Sequence, residues 1–299
     1  MTSYEMRNQV QELIRSLRPK LSDNSIKTYC TTICALHRKL FGETFSVENF
    51  IVKDKMSTVL KSLESRKPSA RKAVYNALYV CTNLPKYREL MMDDIFTTRE
   101  QQATQEKLPH QKENWISAED VAKKLEFLKD KAKQRFRIKE KTSEDIQIIQ
   151  NYVLAAVLCM IAPRRCLDFC CFKIRNVDKK VDNYLYNKQF HFNCYKTAKF
   201  YGKQSVDVPD ELIKLLKKWK KVNPHDYLLV DISGQPLNAC KLNHRLNRIF
   251  DNRKISVNQL RHTYLSDKYG HTVKTEADLK KDLSNMGTSE LQRQVYIKV

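Results

Sequence analysis

SEDIQIIQNYVLAAVLCMIAPRRCLD, running from Ser143 to Asp168, is the stretch on which the reading of the whole chain turns. From Tyr152 to Ala162 it is apolar all the way round a helical wheel. A helix from about Ser143 to Ile161 therefore belongs at the centre of a core. The apolar run is far too short to span a bilayer. Pro163 stops it, and Arg164, Arg165 and Asp168 follow at once. A charged pair at the mouth of a buried helix is by itself an ordinary surface feature. Its meaning depends on what stands to either side.

Upstream, Ser117 with Asp120 three residues on forms a variant capping box that opens a helix carrying Val121, Leu125 and Leu128. Before it, the composition from Thr104 to Asn114 lapses into Gln, Lys, Glu and Pro, including Leu108-Pro109-His110. This predicts three parts: a helical domain over 1–103, a linker over 104–116 and a second domain over 117–299. In the first part, Val10, Leu13, Ile14 and Leu17 make one apolar stripe. Ser22 is an N-cap for a helix bearing Ile26, Tyr29, Cys30, Ile33 and Leu40, and Gly42 suits its C-terminus. The helix after Pro68 begins among Arg66, Lys67, Arg71 and Lys72, a cluster that suits either phosphates or a solvated face.

Downstream the texture changes. Tyr184 to Tyr195 alternates Phe190, Phe192 and Cys194 against His191, Asn193 and Tyr195, and Val206-Asp207-Val208 alternates again. Lys196 to Gln204, with Gly202, lies between them, which predicts a hairpin or small sheet. Helices resume at Asp210, near Leu237, near Val257 and through the last twenty residues. The fold class is thus mainly α with a small antiparallel β-sheet (α+β). The balance of charge adds a partner. Fifty-five Lys and Arg against 34 Asp and Glu give a formal net charge of +21 over 299 residues, which favours a polyanion such as nucleic acid. Lysine-rich codon usage is the plain alternative. Nine cysteines without a CxxC pair read as buried thiols of a reducing compartment, not as disulfides or a zinc site. With no signal peptide, the expected location is intracellular, at DNA, not secreted and not in a membrane.

Four separated features occur in a particular order. Ala162-Pro163-Arg164-Arg165-Cys166-Leu167-Asp168 comes first, then Lys196 at the opening of the hairpin tip. Asn258-Gln259-Leu260-Arg261-His262-Thr263-Tyr264 follows, and last come Met286-Gly287-Thr288 and Tyr296. In this order they resemble the tyrosine recombinase (phage integrase) family. The first segment is similar to the family's Thr-Gly-x-Arg-x-x-Glu box, which implies Arg165 as first catalytic arginine and Asp168 as the acid that orients it. Lys196 is similar to the family's hairpin lysine, Leu260-Arg261-His262-Thr263 to its second arginine box, and Met286-Gly287 with Tyr296 to its closing motif and nucleophile. The helices around Leu21 to Tyr29 resemble the family's core-binding domain.

The resemblance implies a site-specific recombinase or integrase, of a viral or mobile element, that cuts and rejoins double-stranded DNA. The chemistry suits the residue types. A tyrosine conserves the phosphoester as a 3′-phosphotyrosine, two arginines clamp the nonbridging oxygens, and a lysine protonates the departing 5′ oxygen. No metal and no cofactor are required. Strand exchange in the family uses four protomers on two duplexes, so self-association into a tetramer is implied. Lys199 and Lys203 compete with Lys196 for the role of general acid. Asn258 stands where the family has histidine, and Thr288 where it has histidine or tryptophan. Both donate hydrogen bonds, but neither shuttles a proton near neutral pH, and His262 is the nearest substitute. Two other readings stay open: an inactive DNA-binding relative, and a type IB topoisomerase-like relaxing enzyme.

Overall fold

Helix ends in the N-terminal part are set locally. In the computed structural model, which describes residues 3–270, 276–289 and 292–297, α1 (Ser3–Leu17) and α2 (Asp23–Phe41) flank Ser22, whose hydroxyl accepts from the Ser25 N–H. Gly42 ends α2 at φ +85°. A short 3-10 turn (Val47–Phe50) leads to α3 (Lys53–Leu63), α4 (Pro68–Thr82) and α5 (Pro85–Ala103). Pro68 and Pro85 each stand in a first helical turn, where the missing N–H is no loss. Met6, Val10, Ile14, Ile26, Cys30, Ile33 and Leu78 are buried together, the aliphatic and Met side chains each contributing about 1.5–3 kcal/mol if fully removed from water. Of the basic cluster at the start of α4, Arg71 is committed to Asp94 of α5, which its Nε and Nη2 both reach.

The chain divides into two compact units, the first ending at Thr104 and the second beginning at Gln105. Composition alone made 104–116 a linker. Its residues from Gln105 onward belong to the second unit and include α6 (Pro109–Glu113), with Gln111 buried and Ile116 in the second core. The cause is tertiary: Thr263 Oγ1 donates to the Ile116 carbonyl at 2.7 Å, deep in that unit.

The second unit is organised around α8 (Ser143–Cys159), preceded by α7 (Ala118–Arg137) and capped by a Thr142/Asp145 box. Val153, Leu154, Ala156, Val157 and Leu158 are all fully buried, as expected of a helix without a polar face. After it come α9 (Cys166–Cys170), β1 (Phe172–Lys173), β2 (Asn183–Tyr186) and β3 (Gln189–Phe192). The alternating run 184–195 is therefore split. Asn187 and Lys188, at φ +47° and +62°, turn the chain between β2 and β3. The connection 193–203 contains α10 (Ala198–Tyr201) and leads to β4 (Gln204–Asp207), with Phe190 opposite Val206 and His191 opposite Ser205. The sheet has the order β1-β2-β3-β4; it is antiparallel across β2 to β4, with β1 added in parallel. Phe169, Phe172, Phe190 and Phe192 pack mainly edge to face beneath it.

The remaining helices are α11 (Asp210–Val222), α12 (Ala239–Ile249), α13 (Val257–Tyr269), α14 (Glu276–Asn285) and α15 (Arg293–Tyr296). A small separate core of Ala162, Leu265, Tyr269, Leu279, Leu283, Met286, Tyr296 and Ile297 joins the last three to the end of the 143–162 stretch. Of the cysteines, Cys30, Cys34, Cys81 and Cys170 are buried, whereas Cys194 and Cys240 are exposed and do not fit the expectation of buried thiols. Among the described residues no helix is long and apolar enough to cross a membrane.

Candidate active site

Helix α14 ends in a Schellman motif. The Thr288 N–H reaches the Leu283 carbonyl, the Gly287 N–H reaches that of Ser284, and Gly287 sits at φ +64°. Three further carbonyls remain, at Asn285, Met286 and Gly287, where the helix dipole concentrates negative charge. Each takes one arginine. Arg164 Nη1 donates to Asn285 O (2.8 Å), Arg261 Nη1 to Met286 O (3.1 Å) and Arg165 Nη1 to Gly287 O. Residues nearly a hundred positions apart are thus gathered on one turn of backbone.

The two arginines after Pro163 part company at this turn. Arg165 is the N-cap of α9 and extends to the surface of a cleft of about 560 Å³, which Lys196, Asn258, Thr288 and Tyr296 also line. Arg164 turns inward and is wholly buried. Asp168, expected to orient Arg165, instead accepts from Arg164 Nε at 2.7 Å. The cause is local: Asp168 is the buried residue of the first turn of α9 and faces the side toward which Arg164 points, whereas Leu167 faces outward. Burial pulls the Arg164 guanidinium below its ordinary value and pushes the Asp168 carboxyl above its own; each charge partly offsets the other's shift.

Lys196 stands in the β3–β4 connection with its side chain exposed to the cleft. Its neighbour Thr197 donates to Gly287 O at 3.4 Å, and Tyr195 closes the connection by donating to Gly202 O at 2.7 Å. Lys199 and Lys203 do not line the cleft. On α13, Asn258, Arg261 and His262 share a face through their three- and four-residue spacing. Asn258 is exposed at the cleft. Arg261 is fully buried, and its guanidinium carbon lies 4.7 Å from the centre of the Tyr296 ring. Among the described residues, Arg261 Nε and Nη2 and Thr288 Oγ1 are buried with no partner in hydrogen-bond geometry, although the Tyr296 phenol interacts with the Arg261 guanidinium. Burial lowers the Arg261 guanidinium from its ordinary value, and the Tyr296 phenol works against that shift.

His262 lies behind the nucleophile candidate. Its Nδ1 is 3.2 Å from the Tyr296 carbonyl, and its ring centre is 5.2 Å from that of Tyr296. Donation to the carbonyl puts the proton on Nδ1 and leaves Nε2 to accept from Gln111, at 3.4 Å. Ser266 Oγ supports the same carbonyl at 3.2 Å. The geometry gives His262 a part in holding α15.

Arg164, Gln204, Thr197 and the 285–287 carbonyls were not singled out from sequence. For Arg164 there was one usable signal: a guanidinium four residues before a carboxylate, directly after the central helix. The backbone carbonyls have no sequence signal at all.

No protein-family model matches the sequence, and no curated protein does. Solved structures do. A lambda integrase dimer bound to a COC′ core site aligns over 99% of this chain and 77% of its own, at 14% identity and a TM-score of 0.56. A second lambda integrase dimer on a COC′ core site aligns over 97% and 96%, at 13% identity and a TM-score of 0.55. XerA recombinase aligns over 99% and 94%, at 15% identity and a TM-score of 0.43. The chain shares the fold of the two lambda integrase structures.

Proposed function

We propose that this chain is a site-specific DNA recombinase or integrase of a viral or mobile element, with Tyr296 as nucleophile. The observation that carries the reading is the cleft itself. Arg165, Lys196 and Tyr296 line it, and Arg261 lies directly beneath the tyrosine ring. A scissile phosphate in the cleft meets the Arg165 guanidinium at once. Nε and Nη2 of Arg261, which among the described residues have no partner in hydrogen-bond geometry, are donors for its second nonbridging oxygen. Phosphate and phenol ring compete for that guanidinium, so DNA entry shifts the ring off Arg261 and turns the phenol toward phosphorus.

In the cleavage step the Tyr296 oxygen bonds to phosphorus and the P–O5′ bond breaks. Lys196 gives its proton to the 5′ oxygen, and the phenol proton passes to water. Asn258 and Thr288 hydrogen-bond to the phosphate and carry no proton. Rejoining reverses these steps with a 5′ hydroxyl from another strand. Asp168 acts through Arg164, and His262 through the α15 backbone. The helical unit up to Thr104 serves as the core-binding domain on duplex DNA, with the protomers working as a tetramer on two duplexes inside the cell.

A second reading, an inactive DNA-binding relative, draws on Asn258 and Thr288 standing where a proton-carrying side chain is expected. One experiment separates the two. A duplex library with randomised core sequence and a nick beside the cleavage position traps covalent adduct if Tyr296 is active, seen on a denaturing gel. Tyr296→Phe abolishes the adduct and keeps the affinity. Binding without adduct from the unaltered chain refutes the nucleophile, as does adduct from Tyr296→Phe.

A further inference from the structure

We propose that Arg164, which does not line the cleft, is a positioning residue that sets the Lys196 hairpin against the phosphate-clamping arginines; this rests on the recombinase reading above. Arg164 is fully buried and reaches three segments at once. Its Nε holds Asp168 at the start of α9, beside Arg165. Its Nη1 is shared by Gln204 Oε1 (2.9 Å), at the start of β4, and by Asn285 O (2.8 Å), at the end of α14. Its guanidinium carbon lies 4.0 Å from the ring centre of Phe192 and 5.0 Å from that of Tyr195, at the near end of the connection that carries Lys196, while Gln204 marks the far end. Its Nη2 fills the space above Gly287, where a Cβ would come within 2.9 Å.

The three segments do not depend on it equally. The α14 turn keeps its own Schellman bonds and its bonds from Arg165 and Arg261 if Arg164 is lost. The hairpin connection keeps its own bonds to Asn183 and within itself, but much less that ties it to the α14 turn. Among the described residues, its one other hydrogen bond to the turn is that of Thr197, at 3.4 Å. Loss of Arg164 therefore displaces Lys196 more than it displaces the arginines. Lysine is no substitute: one ammonium lacks the planar fork that meets Asp168, Gln204 and Asn285 together. A buried ion pair is in any case a poor source of stability compared with apolar packing, which leaves its geometry as the function.

The test separates protonation from clamping. Single-turnover adduct formation is measured for the unaltered chain, Arg164→Lys and Gln204→Ala, with Lys196→Ala as comparator. Two nicked duplexes are used, one with the natural 5′ oxygen and one with sulfur in its place. In the sulfur duplex the Tyr296 oxygen bonds to phosphorus, the P–S bond breaks and the thiolate leaves unprotonated, since a thiol is far more acidic than an alcohol (about 8.5 for cysteine). On the oxygen duplex Arg164→Lys falls about 10²-fold, the scale of a misplaced catalytic group, and Gln204→Ala falls in the same direction. On sulfur both recover to near the unaltered rate, as Lys196→Ala does. Equal loss on both duplexes overturns the proposal, and so does Gln204→Ala at full rate on oxygen. Gln204→Ala leaves the ion pair intact, so the proposal stays testable if Arg164→Lys fails to fold. Absence of adduct from the unaltered chain on either duplex refutes the recombinase reading itself, and this inference with it.

Discussion

Gly287→Ala has two separable costs. At φ +64° an alanine is in the left-handed region, at about 1–2 kcal/mol. Its Cβ also lies 2.9 Å from Arg164 Nη2 and 3.4 Å from Cζ. That guanidinium cannot yield freely, because Asp168, Gln204 and Asn285 hold its other nitrogens. Crowding of this kind in a packed interior costs about 1–3 kcal/mol, so the total is about 2–5 kcal/mol. Both tryptophans, Trp115 and Trp219, lie in the second unit, so urea unfolding followed by tryptophan fluorescence reports that unit alone. Arg164→Lys removes Nη2, and in that background Gly287→Ala should cost only the backbone part. The difference between backgrounds is then a coupling of at least about 1 kcal/mol, larger than the scatter of independent sites. A Gly287→Ala cost that is the same in both backgrounds, or below about 0.5 kcal/mol, refutes the packing of Arg164 against this turn.

Three further outcomes are expected. Lys196→Ala slows cleavage of the oxygen duplex about 10²–10⁴-fold, whereas Lys199→Ala and Lys203→Ala stay within a few-fold; a collapse with Lys199→Ala instead reassigns the general acid. Burial holds His37 of α2 below its ordinary 6.5, so between that value and its folded one the unfolded chain binds more protons. Stability of the first unit then falls as pH drops below 6.5, and His37→Asn flattens the trend in circular-dichroism melts. Binding to duplex DNA should fall about 10³–10⁵-fold between 50 and 200 mM salt if six to ten phosphates are neutralised; fluorescence anisotropy across that range that changes by less than tenfold speaks against a phosphate-dominated interface.

Much of the framework was legible along the chain because the forces that set it are local. Ser22, Gly42, Ser117 and Pro68 act on backbone groups within four residues, and they mark helix ends in the structure as they do in the sequence. The apolar run through Val153 and Leu158 demanded burial on all sides and has it. Asn187-Lys188 was missed because its turn falls inside a run whose alternation continues across it. The segment after Thr104 has a related property: polar composition predicts exposure, yet Gln111 and Ile116 find partners on α13 that are about 150 residues away.

The order of Arg165, Lys196, Arg261 and Tyr296 was readable in the sequence, since residue type and spacing survive in one dimension. Which arginine of the pair faces the cleft was not decided by sequence chemistry alone, because Arg164 and Arg165 carry the same charge and the same reach. Only the fold distinguishes them, by burying Asp168 on one side of α9 and opening the cleft on the other. The acceptors that gather the arginines are equally invisible in sequence: every residue has a carbonyl. Those of Asn285, Met286 and Gly287 become a site only because α14 ends there, with its last carbonyls unpaired and three guanidinium groups brought within reach.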